Sequence, residues 1–353
     1  MMWTKSNAVH RPPSTVLRPQ STVHGLKVVA LAGGVGGAKL ADGLAQVLST
    51  ENLTVIVNTG DDFEHLGLYI CPDLDTVCYT LAGLANPATG WGRAEETYHA
   101  LENIEKLGGE NWFRLGDKDL ATHIERTHRL REGQSLSRIT REFCRAWGVK
   151  PAILPMSDDP IRTIVDTLEY GELPFQEYFV QRKCEPRVKG FRFKGIQDAK
   201  PARGVLEAIE AADAIIICPS NPWVSIDPIL EVISKLGIRN KEVFTAPGSY
   251  SLIPNPYSLI PVVAVSPIIG GQTVKGPAAK MYAELGIPPS ALAVAAHYKN
   301  LLTGFVLDDI DVALVPDVQN LNVQTHVANT LMKTASDQCR LAEDVLNFIQ
   351  RLK

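Results

Sequence analysis

The chain has no C-x-x-C pair, no uninterrupted apolar run of 18 residues and no excess of basic charge. Its six cysteines (Cys71, Cys78, Cys144, Cys184, Cys218 and Cys339) are scattered over 353 residues. That spacing matches neither a disulfide scaffold nor a zinc site, and it points to a reducing, cytoplasmic setting. Without a long apolar run there is no candidate membrane helix. Lys+Arg 35 against Asp+Glu 39 gives a net charge of −4, so no global field favours nucleic acid or an anionic bilayer. Residues 1–26 contain no acid and no apolar signal core, and read as a disordered leader. There is also no Walker loop, no G-x-S-x-G elbow and no cysteine close to a histidine in sequence. Covalent catalysis therefore has no visible machinery.

What is present is an ordinary globular composition, 45% hydrophobic and 21% charged, on a chain long enough for a full core. Lys27–Ala32, a glycine cluster, a helical pattern over Lys39–Leu48 and the apolar run Leu53–Val57 form a β-loop-α-β unit. The same grammar returns late: strands at Ala214–Cys218, Pro261–Val265, Phe305–Asp308 and Val323–Val327, with helices at Ala202–Ala211, Pro228–Leu236, Pro277–Leu285 and Ala335–Leu352. Strands joined through helices lie parallel with right-handed crossovers. The middle differs. Three helical patterns (Ala94–Leu107, Leu120–Leu130 and Ser135–Trp147) precede extended pieces at Ala152–Leu154, Ile161–Leu168, Phe175–Gln181 and Val188–Phe193, which read as an antiparallel patch. The expected architecture is α/β: a Rossmann-like, doubly wound, mainly parallel sheet built from 27–90 and 200–353. An inserted smaller domain, 91–199, is mostly helical.

Several clusters fall at expected strand ends. Gly33-Gly34-Val35-Gly36-Gly37, between a strand and a helix, lets backbone approach a phosphate and aims amides at it, or is merely a tight turn. Lys39 adds a cation, or is a solvated helix lysine. The NTGDD stretch holds Thr59, Asp61 and Asp62, and PDLDT holds Asp73 and Asp75. Four carboxylates so close repel one another, which a divalent cation bridging to phosphate relieves; oxygen ligands favour Mg²⁺ or Mn²⁺ over Zn²⁺. The alternative for Asp73 and Asp75 is helix capping. Asp158 and Asp159 sit between prolines in a stiff turn, Ser220-Asn221 follows one strand between prolines, and Ser266 to Gly270 follows the next. Carboxyl ends of parallel strands are where open α/β sheets bind ligands.

Taken together, GGVGGAKL (33–40), NTGDD (58–62), CPDLDTVCYTL (71–81), GDKDLATH (116–123), LPMSDDP (154–160), PSNPWVSIDPIL (219–230) and VAVSPIIGG (263–271) resemble the 2-phospho-L-lactate transferase (CofD/FbiA) family of coenzyme F-420 biosynthesis, bacterial type. The motifs run in family order across about 27–352. The resemblance implies a transferase that moves a phospho-three-carbon-acid group from a guanosine-diphospho donor (lactyl, enolpyruvyl or glyceryl) to the ribityl hydroxyl of the deazaflavin Fo, releasing GMP. It also implies Mg²⁺, small-molecule partners and a homodimer. By position, Gly33, Gly34, Gly36, Gly37, Lys39, Ser220, Asn221, Ser266 and Gly270 would hold the donor nucleotide and its phosphates. Asp61, Asp62 and Asp73 would hold Mg²⁺ and take the hydroxyl proton. Thr59, Asp75, Trp91, Asp158 and Asp159 would line the Fo pocket. The leader and the stretch 238–262 depart from the family pattern, the latter by looking longer.

Two other readings compete. One is a regulatory protein of the same fold that binds a nucleotide or nucleotide sugar without transferring anything; the GDKDLATH, MSDDP and PDLDT stretches speak for the transferase instead. The other is an NAD-linked dehydrogenase, which the poor dinucleotide fingerprint and the lack of an acid closing the second strand disfavour.

Overall fold

A computed structural model describes residues 25–237 and 260–353; most of the expected leader and most of the 238–262 stretch lie outside the described residues. Strand β1 (Val28–Ala32) is entirely buried and passes through Gly33 into α1 (Gly34–Val47). The helix thus begins inside the glycine cluster, earlier than the Lys39 start expected from apolar spacing, because glycines carry no side chain for that spacing to register. Strand β2 (Leu53–Val57) keeps its expected bounds. A short hairpin, β3 (Phe63–His65) and β4 (Leu68–Ile70), follows. Next comes α2 (Pro72–Leu81), whose proline sits at the first helical position where its missing N–H costs nothing. Helices α3 (His99–Lys106), α4 (Asp117–Arg131) and α5 (Leu136–Ala146) supply the three expected in the middle, the last capped by Ser135, whose side chain accepts from Arg138 N–H at 3.3 Å.

Two mid-chain expectations are corrected. Ala152–Leu154 is not part of an antiparallel patch: as β5 (Ala152–Pro155) it lies parallel to β2 at the edge of the main sheet. A four-residue apolar strand carries too little alternation to declare its partner. The stretch 91–199 is therefore not one continuous insertion. The antiparallel sheet is β6 (Arg162–Thr167), β7 (Gly171–Pro174) and β8 (Val188–Lys194), with β6 central. Phe175–Gln181, expected to be extended, instead forms a wide helical turn in which Arg182 N–H reaches the Glu177 carbonyl. Its apolar residues Phe175, Tyr178 and Phe179 recur at helical spacing, i, i+3, i+4.

The rest follows as α6 (Val205–Glu210), β9 (Ala214–Ile217), α7 (Asp227–Gly237) and β10 (Val262–Val265). The small hairpin β11 (Ile268–Ile269) and β12 (Gln272–Thr273) precedes α8 (Ala278–Glu284). Then come α9 (Ala291–Tyr298), absent from the sequence reading, β13 (Gly304–Asp308), α10 (Val315–Gln319), β14 (Gln324–Ala328) and α11 (Ala335–Leu352). The seven-stranded sheet runs β5-β2-β1-β9-β10-β13-β14, all parallel. Alternate residues of β1 serve the two faces. Val28, Ala30 and Ala32 pack with α1, α2 and α11, while Val29 and Leu31 pack with α7 and α9. This is the Rossmann-like doubly wound arrangement, and its order reverses between β1 and β9. A crevice must open there, at the strands' carboxyl ends. Among the described residues no helix is long and apolar enough to cross a membrane.

The α1–α11 contact depends on a missing side chain. A Cβ on Gly43 would lie 2.2 Å from the Gln338 carbonyl oxygen of α11, so backbone would have to move. Gly43→Ala is expected to lower stability by about 1–3 kcal/mol through overpacking, read as a shifted urea midpoint; an unchanged midpoint would show that the two helices part freely.

Candidate functional site

The crevice between β1 and β9 opens into a cavity of about 670 Å³, within the range of small-molecule sites. Its floor is the start of α1. Gly33 is extended, Gly34 has φ +61°, and the helix begins there. Three glycines answer to the chain's own packing. A Cβ on Gly33 would stand 2.6 Å from Asp73 Oδ2, on Gly36 2.2 Å from the Pro219 carbonyl oxygen, and on Gly37 2.6 Å from Ser220 Oγ. The Ser220 hydroxyl accepts from Gly33 N–H at 3.1 Å and donates to the Gly33 carbonyl at 2.8 Å. The sequence leaves these glycines open between phosphate approach and a tight turn; Gly33, Gly34 and Gly36 do line the cavity, while Gly37 lies behind it.

Asp61, just past β2, and Asp73, in the first turn of α2, both face this cavity and are buried. Asp73 accepts from Asn58 Nδ2 at 3.0 Å. Burial raises it to about 6, against the opposing hydrogen bonds from Asn58 and Gly34 N–H. Burial, then the charge of Asp73, pushes Asp61 well above the usual carboxylate range, with Thr163 opposing. Asp61 Oδ1 has no hydrogen-bond partner among the described residues. Two buried carboxylates that repel each other, one with an orphaned oxygen, fit a hard divalent cation with oxygen ligands. Asp62 is placed differently. It is not on the cavity wall but lies toward Arg162, Cys71 and Arg126, and burial outweighs the Arg162 charge to bring it to about 7.

A second set of charges is internally matched. Arg126 of α4 donates through both terminal nitrogens to the two oxygens of Asp75, one contact at 3.0 Å. The same guanidinium lies 3.3 Å from His123 Nδ1, and His123 Nε2 lies 3.3 Å from Asp119 Oδ2. Tyr79 donates to Asp119 Oδ1 at 2.7 Å. Asp75, Asp119 and His123 bring three ligand-type atoms within 4.8 Å of one another. Arginine has only donors, so in this contact Nδ1 accepts, while Nε2 faces Asp119 without a hydrogen-bond partner among the described residues. Arg126 thus engages both oxygens of Asp75 and one nitrogen of His123, and the trio is already served by a cation of the chain itself. Asp75, Asp119 and His123 all reach the cavity wall.

Of the other residues singled out in the sequence, Lys39, Trp91, Ser220, Asn221 and Ser266 line the cavity. Asn221 also accepts from Trp223 N–H at 3.1 Å, opening the helical turn 222–226. Thr59 and Gly270 do not reach the wall; Gly270 N–H donates to the Asp311 carboxylate at 3.0 Å. Asp158 accepts from Ser137 N–H at 2.6 Å at the start of α5, and Asp159 from Lys200 N–H at 2.8 Å, so both serve loop structure away from the cavity. The wall also holds Lys275, Arg114, Phe175 and Phe179, which the sequence reading missed, together with Asp119 and His123 of the GDKDLATH stretch, whose acid reads as a helix cap or a site residue alike. For the last two a signal existed: Asp119, His123 and Arg126 recur at i, i+4, i+7 on one helix face.

A sequence profile of the family described as 2-phospho-L-lactate transferase CofD matches residues 28–239. A phosphoenolpyruvate transferase of Streptomyces griseus is 40% identical over 333 residues, covering 93% of this chain and 100% of that protein. A 2-phospho-L-lactate transferase of Methanosarcina acetivorans is 38% identical over 321 residues, covering 91% and 98%. Among solved structures, a UPF0052 family member from Bacillus halodurans superimposes with a TM-score of 0.55 at 17% identity, covering 90% of this chain and 98% of that one; it speaks for the fold alone.

The two charge sets make opposite demands on stability. Arg126→Met leaves Asp75 buried without a counter-charge and is expected to cost roughly 3–5 kcal/mol, measured by urea unfolding. A loss below 1 kcal/mol would mean water reaches Asp75. Asp62 and Asp73 are raised in the folded chain, so unfolded aspartates release their protons first as pH rises from 3.8 toward about 7. In that window the folded state holds more protons, and stability falls with rising pH. The urea midpoint of ligand-free protein should therefore be lower at pH 7.5 than at pH 5, and Asp62→Asn should shrink the difference; equal midpoints in the wild type would contradict the burial of charge described above.

Proposed function

The chain belongs to the 2-phospho-L-lactate transferase CofD family, and from that membership we propose that it transfers a phospho-three-carbon-acid group, phospholactyl or phosphoenolpyruvyl, from a guanosine-diphospho donor to the ribityl hydroxyl of the deazaflavin Fo, releasing GMP. The observation that carries the proposal is the juxtaposition, in one cavity, of the orphaned Asp61 beside Asp73 with the start of α1. The names of the relatives at 38–40% identity support lactyl and enolpyruvyl groups on the donor. They favour transfer over the reading as a non-catalytic nucleotide-binding protein. The same reading carries a cytoplasmic homodimer.

In the reaction the terminal hydroxyl oxygen of the ribityl chain bonds to the phosphorus bearing the acid, the bond from that phosphorus to the GMP oxygen breaks, and the hydroxyl proton passes to a carboxylate. Asp61 and Asp73 would hold Mg²⁺, which when bound supplies positive charge against the diphosphate oxygens. Asp73 is itself oriented by Asn58 and Gly34 N–H, so its carboxylate points where the start of α1 faces the donor. Asp61, whose Oδ1 has no hydrogen-bond partner among the described residues, is free to take the proton. Phe175 and Phe179, stacked at 5.4 Å and 12°, and the half-exposed Trp91 offer flat apolar surface to the deazaflavin ring. Asp75, fixed from behind by Arg126, and Asp119, fixed by Tyr79, present acceptors to hydroxyl groups entering the same space.

Purified protein given Fo, guanylylated donor and Mg²⁺ should form a more anionic deazaflavin and one GMP per product, resolved by ion-exchange chromatography. EDTA should stop the reaction and excess Mg²⁺ restore it. Asp61→Asn should lower turnover roughly a hundredfold or more with little change in unfolding midpoint. Full activity in chelator would remove the metal from the scheme, and failure with lactyl, enolpyruvyl and glyceryl donors alike would refute the transferase reading.

A further inference from the structure

We propose that Lys275, together with Lys39, forms a subsite for an oxyanion of the donor: the carboxylate of its three-carbon acid or one of its phosphates. The inference rests on the transferase reading and adds to it a residue from the loop before α8. Lys39 lies one turn along α1 from Val35, on the same face. Its ammonium donates to the Met332 carbonyl at 2.7 Å. Lys275 comes from the loop between β12 and α8 and donates to the Thr89 carbonyl. A Cβ on Gly90 would lie 2.6 Å from Val35 Cγ1 and 3.4 Å from Lys275 Nζ, so the second ammonium is carried to the same end of α1. Both lysines line the cavity.

Neither ammonium forms an ion pair with a carboxylate among the described residues. Asp337, the acid whose field reaches Lys39, already accepts from Lys333 and Thr334 N–H and pairs with Arg340 at 3.5 Å. The cavity's own acids do not serve either: Asp75 and Asp119 are engaged by Arg126, His123 and Tyr79, and Asp61 and Asp73 repel each other at the start of α2. Each ammonium has three donors and spends one on a backbone carbonyl. Burial first, and then the charge of Lys275, lowers the proton affinity of Lys39, with Asp337 opposing. The cavity thus holds carboxylates that call for a cation and two ammonium groups that call for an anion. A donor that carries both a metal-binding diphosphate and a free carboxylate satisfies both.

The test uses calorimetric binding of two probes to the full chain in Mg²⁺: 2-phospholactate, and isopropyl phosphate, in which a methyl group replaces the carboxylate. Wild type is compared with Lys275→Met, whose fold is checked by thermal unfolding; Lys275 is exposed, so the exchange leaves the core intact. Loss of affinity of about tenfold for 2-phospholactate alone assigns the subsite to the carboxylate. An equal loss for both probes assigns it to phosphate. Unchanged affinities in Lys275→Met, or no binding of either probe by the wild type, overturn the subsite. Because no turnover is read, these outcomes are separate from success or failure of the transfer assay.

Discussion

The Ser220 hydroxyl, closing hydrogen bonds with both the N–H and the carbonyl of Gly33, ties together the ends of the two central strands. These strands are β1 and β9, between which the sheet order reverses. A seven-stranded parallel sheet leaves a crevice at that point whatever its side chains. What makes this crevice a site is that the backbone segments on its two sides come within atomic contact. Gly36 meets the Pro219 carbonyl and Gly33 meets Asp73 and Ser225, so any side chain at those positions would force the walls apart. Two of the charged groups described above are placed by elements anchored there: Asp73 through Gly34 and Asn58, and Lys39 by its position on α1.

The buried charges divide into two kinds with different consequences. Asp75 and Arg126 satisfy each other through paired contacts, His123 lies between Arg126 and Asp119, and Tyr79 donates to Asp119. Such a network holds side chains in one arrangement and makes little demand on a ligand. Asp61 and Asp73 are the other kind. They are buried on the cavity wall and repel each other, and their proton affinity is raised as a result. A protein gains nothing in stability by keeping them there. Their placement makes sense only if something of opposite charge arrives from outside, which is the physical reason for assigning chemistry to them and framework to the Arg126 group.

Much of the fold was legible because the main-sheet strands are short runs of buried apolar residues separated by helices, a pattern that admits few topologies. Leu53–Val57 and Ala335–Leu352 fall on their expected bounds. The failures have common physical causes. β5 is four residues long and takes its partner from β2, about a hundred residues earlier in the chain, which no local pattern encodes. The glycine cluster hid the first turn of α1 because the pattern of burial is written in side chains. For the site, residue type and position at a strand end located Asp61 and Asp73 but could not tell which of two adjacent aspartates turns inward. Asp61 reaches the cavity and Asp62 turns toward Arg162. Asp158 and Asp159 looked equally ligand-like, yet their oxygens accept backbone amides in their own neighbourhood. Lys275 was invisible because nothing in its local sequence distinguishes a lysine facing a cavity from one facing water.

Under the proposed transfer, charge would account for the class of donor better than for its identity. Lactyl, enolpyruvyl and glyceryl groups all carry one carboxylate and one phosphoryl attachment, so a cavity lined by both carboxylates and ammonium groups would receive all three alike. They differ by a double bond or a hydroxyl, a difference worth only about 1–3 kcal/mol in a pocket of complementary shape. Discrimination would then come from close apolar or hydroxyl contacts on the cavity wall, superimposed on an electrostatic grip common to all. Relatives of similar identity to this chain carry either the phosphoenolpyruvate or the phospholactate name. That is the pattern expected when orientation and chemistry are set by charges buried in the framework, while the choice among near-identical acids rests on a few side chains free to vary.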